Sequence, residues 1–105
     1  MKEELQKLQA EVLAALGHPN RVKIVEFLRS GERCVCEIFP ALELEQSNLS
    51  RHLKALREAG ILESRKEGVS VYYKVSDPRI FRLLDLSTGI IKRELRNRSK
   101  ILEMV

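Results

Sequence analysis

Residues 46–60 read QSNLSRHLKALREAG, and they restrict the fold more than any other stretch of the chain. At about 100° per residue, Leu49, Leu53 and Leu56 gather on one side of a helix, with Ser47, Arg51, Lys54 and Glu58 on the other. Gly60 stands where helices commonly close in a left-handed turn. Such a helix must bury one face and is free to present the other. Its start can lie at either of two places, because Glu45 is a poor N-cap and Ser47 a better one. ILESRK and VSVYYKV follow, two short runs rich in β-branched and aromatic residues around Glu67-Gly68, which predict a two-stranded hairpin. Tyr72 and Tyr73 alternate across it, so one belongs to the core and one to the surface.

Upstream, Leu5, Leu8, Val12 and Ala15 recur at helical steps and predict a first helix ending at Gly17. His18 can cap a second helix that opens on Pro19 and runs to Ser30-Gly31, with Val22, Ile24, Val25, Phe27 and Leu28 as its wide apolar face. A short third helix is expected from about Cys34 to Leu42; it contains Pro40, whose missing N–H leaves the carbonyl of Cys36 without its helical partner. After Asp77-Pro78 a last amphipathic segment carries Ile80, Leu84, Ile91, Leu95 and Leu102, with Ser87-Thr88-Gly89 as a weak point. Four helices, a hairpin and a helix predict a mainly α chain with a small β-hairpin, in the order of a winged helix-turn-helix. No linker, repeat or low-complexity tract divides the 105 residues, so residues 1–105 are expected to form one domain. The first and last helices carry apolar stripes with little else to cover, which makes them the expected dimerisation helices of a homodimer.

In this fold the polar face of residues 46–59 is the surface that reads double-stranded DNA. Arg51 suits a bidentate contact to a guanine edge, Gln46 and Asn48 suit adenine, and Ser47, Ser50 and Lys54 suit phosphates. At the hairpin tip Arg65 and Lys66 form a basic wing able to reach phosphates or a minor groove. His52 projects close to the apolar side and is expected to be packed and hydrogen-bonded. Composition agrees without deciding the matter: 19 Lys and Arg against 15 Asp and Glu leave a formal charge of +4, which favours a polyanionic partner. No run approaches the roughly 18 apolar residues of a membrane span, and MKEELQKLQAE lacks the apolar block of a signal peptide. A cytoplasmic location without a membrane partner is expected.

Four stretches resemble the ArsR/SmtB family of bacterial and archaeal metal-responsive repressors, over about residues 12–76. LGHPNRVKIVEFL resembles the family's second helix, RCVCEI its ELCVCDL metal box, SNLSRHLKALREAGIL its recognition helix, and RKEGVSVYYKVS its wing. The resemblance implies a homodimer on a palindromic operator, a repressor rather than an enzyme, which releases DNA when a metal or metalloid binds. It also implies no permanently bound cofactor, and it makes Cys34 and Cys36 the metal ligands.

These are the only two cysteines of the chain. The expected helix start, with its free N–H groups, and the neighbouring Arg33 favour thiolate over thiol, and thiolates are the soft ligands that suit arsenic(III), antimony(III) or another soft metal ion such as cadmium or lead. Residues two apart on a helix diverge by about 200°, so chelation by this pair calls for a distorted or unwound first turn. Arsenic sensors with this box often carry a third cysteine where this chain has Phe39, so a small thiol, hydroxide or the other protomer would complete the site. Residues 78–105 lack the histidines of the family's zinc, nickel and cobalt sites, and no cysteine precedes residue 34 as in its cadmium and lead sites. Other readings of the CxC pair are a redox- or persulfide-responsive repressor, a thiol oxidoreductase or metal carrier, and two small buried hydrophobes. A winged helix used only for protein contacts is a further alternative.

Overall fold

The computed structural model describes residues 1–104. Its elements are α1 (Lys2–Leu16), α2 (Pro19–Phe27) continued by a 3-10 turn over Leu28–Ser30, β1 (Arg33–Cys34), α3 (Val35–Leu42), α4 (Gln46–Glu58), β2 (Leu62–Glu67), β3 (Ser70–Val75) and α5 (Arg79–Met104). The chain is mainly helical with one small antiparallel sheet, and four helices precede the hairpin as expected.

The local signals act where they stand. His18 Nδ1 accepts the N–H of Asn20 at 3.0 Å, so this histidine caps α2 ahead of Pro19. Gly60, at φ +80°, closes α4 in a conformation that a side chain would strain. Asp77 caps α5: its carboxylate takes the backbone N–H of Arg79 at 2.9 Å and the Arg79 guanidinium at 2.6 Å. These bonds, the side-chain one foremost, draw the Asp77 carboxyl down from its ordinary value to about 2.

Three expectations need correction. The sheet has three strands in the order β1-β3-β2, not two, because Arg33 and Cys34 pair with Tyr73 and Tyr72 on the open edge of the hairpin. Two residues are too few to show a strand period. The third helix accordingly starts at Val35, and Cys34 is its cap rather than its first residue. Finally, α5 runs unbroken through Ser87-Thr88-Gly89. Both hydroxyls donate to the carbonyl of Leu84, at 2.7 and 3.1 Å, so their hydrogen bonds are satisfied within a helix that continues past them.

The core lies where the helices meet the sheet. Ala15 and Leu16 of α1, Ile24 and Val25 of α2, Ile38 of α3, the three leucines of α4, Ile61, Leu62 and Tyr73 form one buried cluster. Tyr73 is the core tyrosine, and Tyr72 stands half-buried on the other face. No residue of α5 is buried; Ile80, Phe81 and Leu84 in its first turns pack against the cluster. Arg29 fastens this end, bridging Glu26 at 2.8 Å and Asp85 at 3.0 Å while lying over the Phe81 ring at 4.9 Å. Among the described residues, no helix is long and apolar enough to cross a membrane.

Candidate nucleic-acid interface and thiol site

The leucines fix how α4 is rotated. With Leu49, Leu53 and Leu56 buried, Ser47, Arg51 and Lys54 are exposed on the opposite face, Gln46 and Ser50 are exposed along the side of the helix, and Asn48 is half-buried. Arg51 Nη2 donates to Asn48 Oδ1 at 3.2 Å, which holds two of the expected base readers together one turn apart. Glu45 caps α4 without a side-chain bond, so the first-turn N–H groups point outward beside Gln46, Ser47 and Asn48, an arrangement favourable to phosphate.

His52 sits behind this face and joins α4 to α2. Its Nδ1 accepts Arg21 Nε–H at 3.0 Å, and its ring lies 4.6 Å from that of His18. Burial first, then the neighbouring His18, Arg21 and Arg51, hold the His52 imidazole below its ordinary pKa, which keeps the acceptor nitrogen neutral. The wing carries its two basic residues differently. Lys66 is exposed and makes no ion pair among the described residues. Arg65 is engaged: its guanidinium pairs with Glu32 at 2.8 Å and Glu67 at 2.7 Å, and covers the Tyr72 ring at 4.4 Å.

Cys34 and Cys36 are joined as a disulfide, with Cα atoms 5.0 Å apart. The departure from regular helix that the pair needs in order to meet is already present, because Cys34 lies outside the helix in extended conformation, φ −70° and ψ 145°. From there its sulfur accepts the N–H of Cys36 at 3.0 Å, and Glu37 Oε1 accepts the N–H of Cys34 at 3.3 Å. This is a capping box with cysteine in the place of serine. The C-x-x-E spacing of residues 34–37 carried that signal in the sequence. The Arg33 guanidinium donates to Glu37 at 3.3 Å and to Ser30 at 3.0 Å.

The pair opens onto a cleft of about 370 Å³ whose walls include Ser50 and Leu53 of α4 and Val71 and Tyr73 of β3. Both cysteines line it. The thiol site therefore touches the two elements expected on DNA, a juxtaposition that the linear sequence conceals. As a donor set, the reduced pair offers two soft ligands on one side of the cleft, which fits a thiophilic ion of low coordination number. Among the described residues, no group of three or more His, Cys, Asp or Glu could hold a metal ion without an outside ligand.

Residues 18–64 match the family model described as "bacterial regulatory protein, arsR family". The crystal structure of Rv0081 from Mycobacterium tuberculosis superposes with a TM-score of 0.80 at 38% identity, over 90% of this chain and 95% of that one. A Mycobacterium bovis winged helix-turn-helix DNA-binding domain, described as homodimeric and as a possible ArsR-family regulator, gives a TM-score of 0.80 at 31% identity over 91% and 89% of the two chains. The arsenic resistance transcriptional regulator ArsR1 of Pseudomonas putida is 60% identical over 65 residues, 61% of this chain and about half (51%) of that one. The helix order, the exposed polar face of α4, the wing and these likenesses together place the chain in the ArsR family of winged helix-turn-helix transcriptional regulators, DNA-binding proteins and not enzymes.

Proposed function

We propose that the protein is a metalloid-responsive repressor that binds an inverted-repeat operator as a homodimer and leaves it when arsenite or antimonite occupies Cys34 and Cys36. The observation that carries this reading is the shared cleft: both cysteines line it together with residues of α4 and β3, so a ligand on the sulfurs lies beside the recognition helix and the wing. The identity with a regulator of arsenic resistance supports the choice of inducer. On the DNA, Arg51 takes a guanine edge, Gln46 and Asn48 take adenine, and Ser47, Ser50, Lys54 and Lys66 take phosphates. Two such faces related by a two-fold axis require half-sites about one turn, roughly 34 Å, apart or a multiple of it. The homodimeric M. bovis relative supports two-fold assembly, and the exposed apolar residues of α1 and α5 are the surfaces offered for it.

Release needs no melted helix. Once a cellular thiol has reduced the disulfide, an ion bridging the two thiolates would hold the sulfurs farther apart than the disulfide does, and the displacement would fall on β1 and on the cap of α3. A pyramidal ion held by Cys34 and Cys36 would take a third ligand, hydroxide or a small thiol, from solution. The disulfide favours a second reading, a redox- or persulfide-responsive repressor that uses the same pair. Titration of reduced protein on its operator with arsenite, antimonite, cadmium, lead, zinc and a persulfide donor decides between them. Arsenite or antimonite should release DNA at the lowest concentration. Release only under oxidant, with reversible loss of two thiols, selects the redox reading. A Cys34→Ser/Cys36→Ser protein that still responds to the inducer ends both.

A further inference from the structure

We propose that Arg65 is a positioning residue: clasped by Glu32 across the central strand, it makes the wing move with the segment that bears the thiols. The inference deepens the proposed function and rests on it for the nature of the signal. Backbone pairing between β1 and β3 is confined to Arg33↔Tyr73 and Cys34↔Tyr72, a short seam for transmitting a displacement. A second tie lies over it. Glu32, the residue before β1, reaches past β3 to the far strand, where its carboxylate accepts Arg65 Nε–H at 3.0 Å and Nη2–H at 2.8 Å. The guanidinium rests on the Tyr72 ring of the intervening strand at 4.4 Å, and Glu67 takes Nη1–H at 2.7 Å.

Arg65 thus has a partner on each side and a ring beneath it, and three of its five N–H donors are already directed at carboxylates. The pairing is electrostatically favourable in both partners: the Glu32 carboxyl is lowered, chiefly by its bond from Arg65, and the Arg65 guanidinium is raised, chiefly by its bond to Glu32. Glu32 stands two residues before Cys34, about 7 Å of extended chain, so a shift of the sulfur reaches the carboxylate with little slack. The thiols then act on DNA by two routes, on α4 through the cleft wall and on β2 through this clasp. Lys66, one residue along the same strand, remains the wing's free cation among the described residues.

The test uses the full chain and three variants, Glu32→Gln, Arg65→Gln and the charge-swapped Glu32→Arg/Arg65→Glu. Operator affinity is measured with and without arsenite, and with and without diamide. Each single variant should shrink the affinity ratio between signal-free and signal-loaded protein by roughly two- to fivefold, the range of one exposed ion pair, and the swap should restore it. The salt slope of Arg65→Gln should match wild type. A slope reduced by about one, with tighter DNA binding by Glu32→Gln, makes Arg65 a phosphate contact and overturns the clasp. A second measurement needs no signal at all. In the free reduced protein, hydrogen exchange at the amides of residues 33–36 should quicken by about the same factor in Arg65→Gln, since the tie is removed from the other strand. Unchanged exchange there overturns the proposal. If wild type stays on DNA under both arsenite and diamide, the thiol reading fails, and exchange alone still judges the clasp.

Discussion

Leu49, Leu53 and Leu56 of α4 are 1%, 2% and 0% exposed, whereas Leu86, Ile91, Leu95 and Leu102 of α5 keep 65%, 56%, 56% and 76% of their surface in solvent. Both helices are amphipathic, and nothing in their periodicity separates them. The difference lies in what the rest of the chain offers. Helix α4 is surrounded by α1, α2 and β2, which supply a complementary apolar surface. Helix α5 meets the core only through its first turns and the Arg29 clamp, and the remainder extends past everything else the chain could lay on it. Amphipathic spacing therefore says that a face is made for burial without saying whose surface will bury it.

That contrast can be broken most forcefully at α4. Leu53→Ala should cost about 2–5 kcal/mol of folding stability in urea or thermal unfolding, because the site is enclosed and a cavity remains. A loss under about 1 kcal/mol would mean that α4 is held as loosely as α5. Leu95→Glu on α5 should leave the fold of each protomer intact by circular dichroism. Sedimentation should show dimer association weakened by about tenfold or more, since each copy loses roughly 1.5–3 kcal/mol of leucine burial. A variant that stays dimeric at micromolar concentration would remove this stripe from the interface.

On the polar side of α4, Arg51→Ala should cost about 1–3 kcal/mol on the operator and relax its sequence preference, while Lys66→Ala should weaken all sequences alike and reduce the salt slope by about one. Equal losses on operator and random DNA for Arg51→Ala would make it a phosphate contact. The smallest effect concerns the joint between α2 and α4. His52 is held below its ordinary value of 6.5, so the unfolded chain takes up that proton at higher pH than the folded one. Stability from the neutral imidazole is present above about 6.5 and declines as the pH falls from there through the lower folded value. The groups facing the ring, His18, Arg21 and Arg51, all oppose its charging. His52→Gln should flatten the acid limb of stability between pH 7 and 5, and an unchanged limb would assign it to other groups.

Most of the scaffold was legible because its signals are local. His18-Pro19, Gly60, the leucine triplet of α4 and the alternation of Tyr72 and Tyr73 each act on their own few residues. The candidate DNA face followed directly, since burying three leucines leaves only one way to turn α4. What escaped was non-local or too short. Strand β1 exists only because β3 offers an edge to Arg33 and Cys34. The Arg21–His52 bond spans 31 positions and the Glu32–Arg65 clasp 33, and no periodicity connects such residues. The capping box at Cys34 is present in the sequence as C-x-x-E, but cysteine is an unusual cap, so the spacing alone does not place Cys34 outside the helix.

The same cap makes the two sulfurs kinetically unequal. In the structure Cys36 is exposed, while Cys34 is 4% exposed and enclosed by the strand pairing and the start of α3, and a reduced pair that keeps this backbone inherits the difference. A thiophile in solution meets Cys36 first, in an ordinary bimolecular collision. Its second bond is then an intramolecular event at high effective concentration, limited by the local opening that uncovers Cys34. A monofunctional reagent is halted after the first step, and a bifunctional one proceeds. The order of encounter thus sorts incoming chemistry by its number of reactive valences before affinity has any part in the choice.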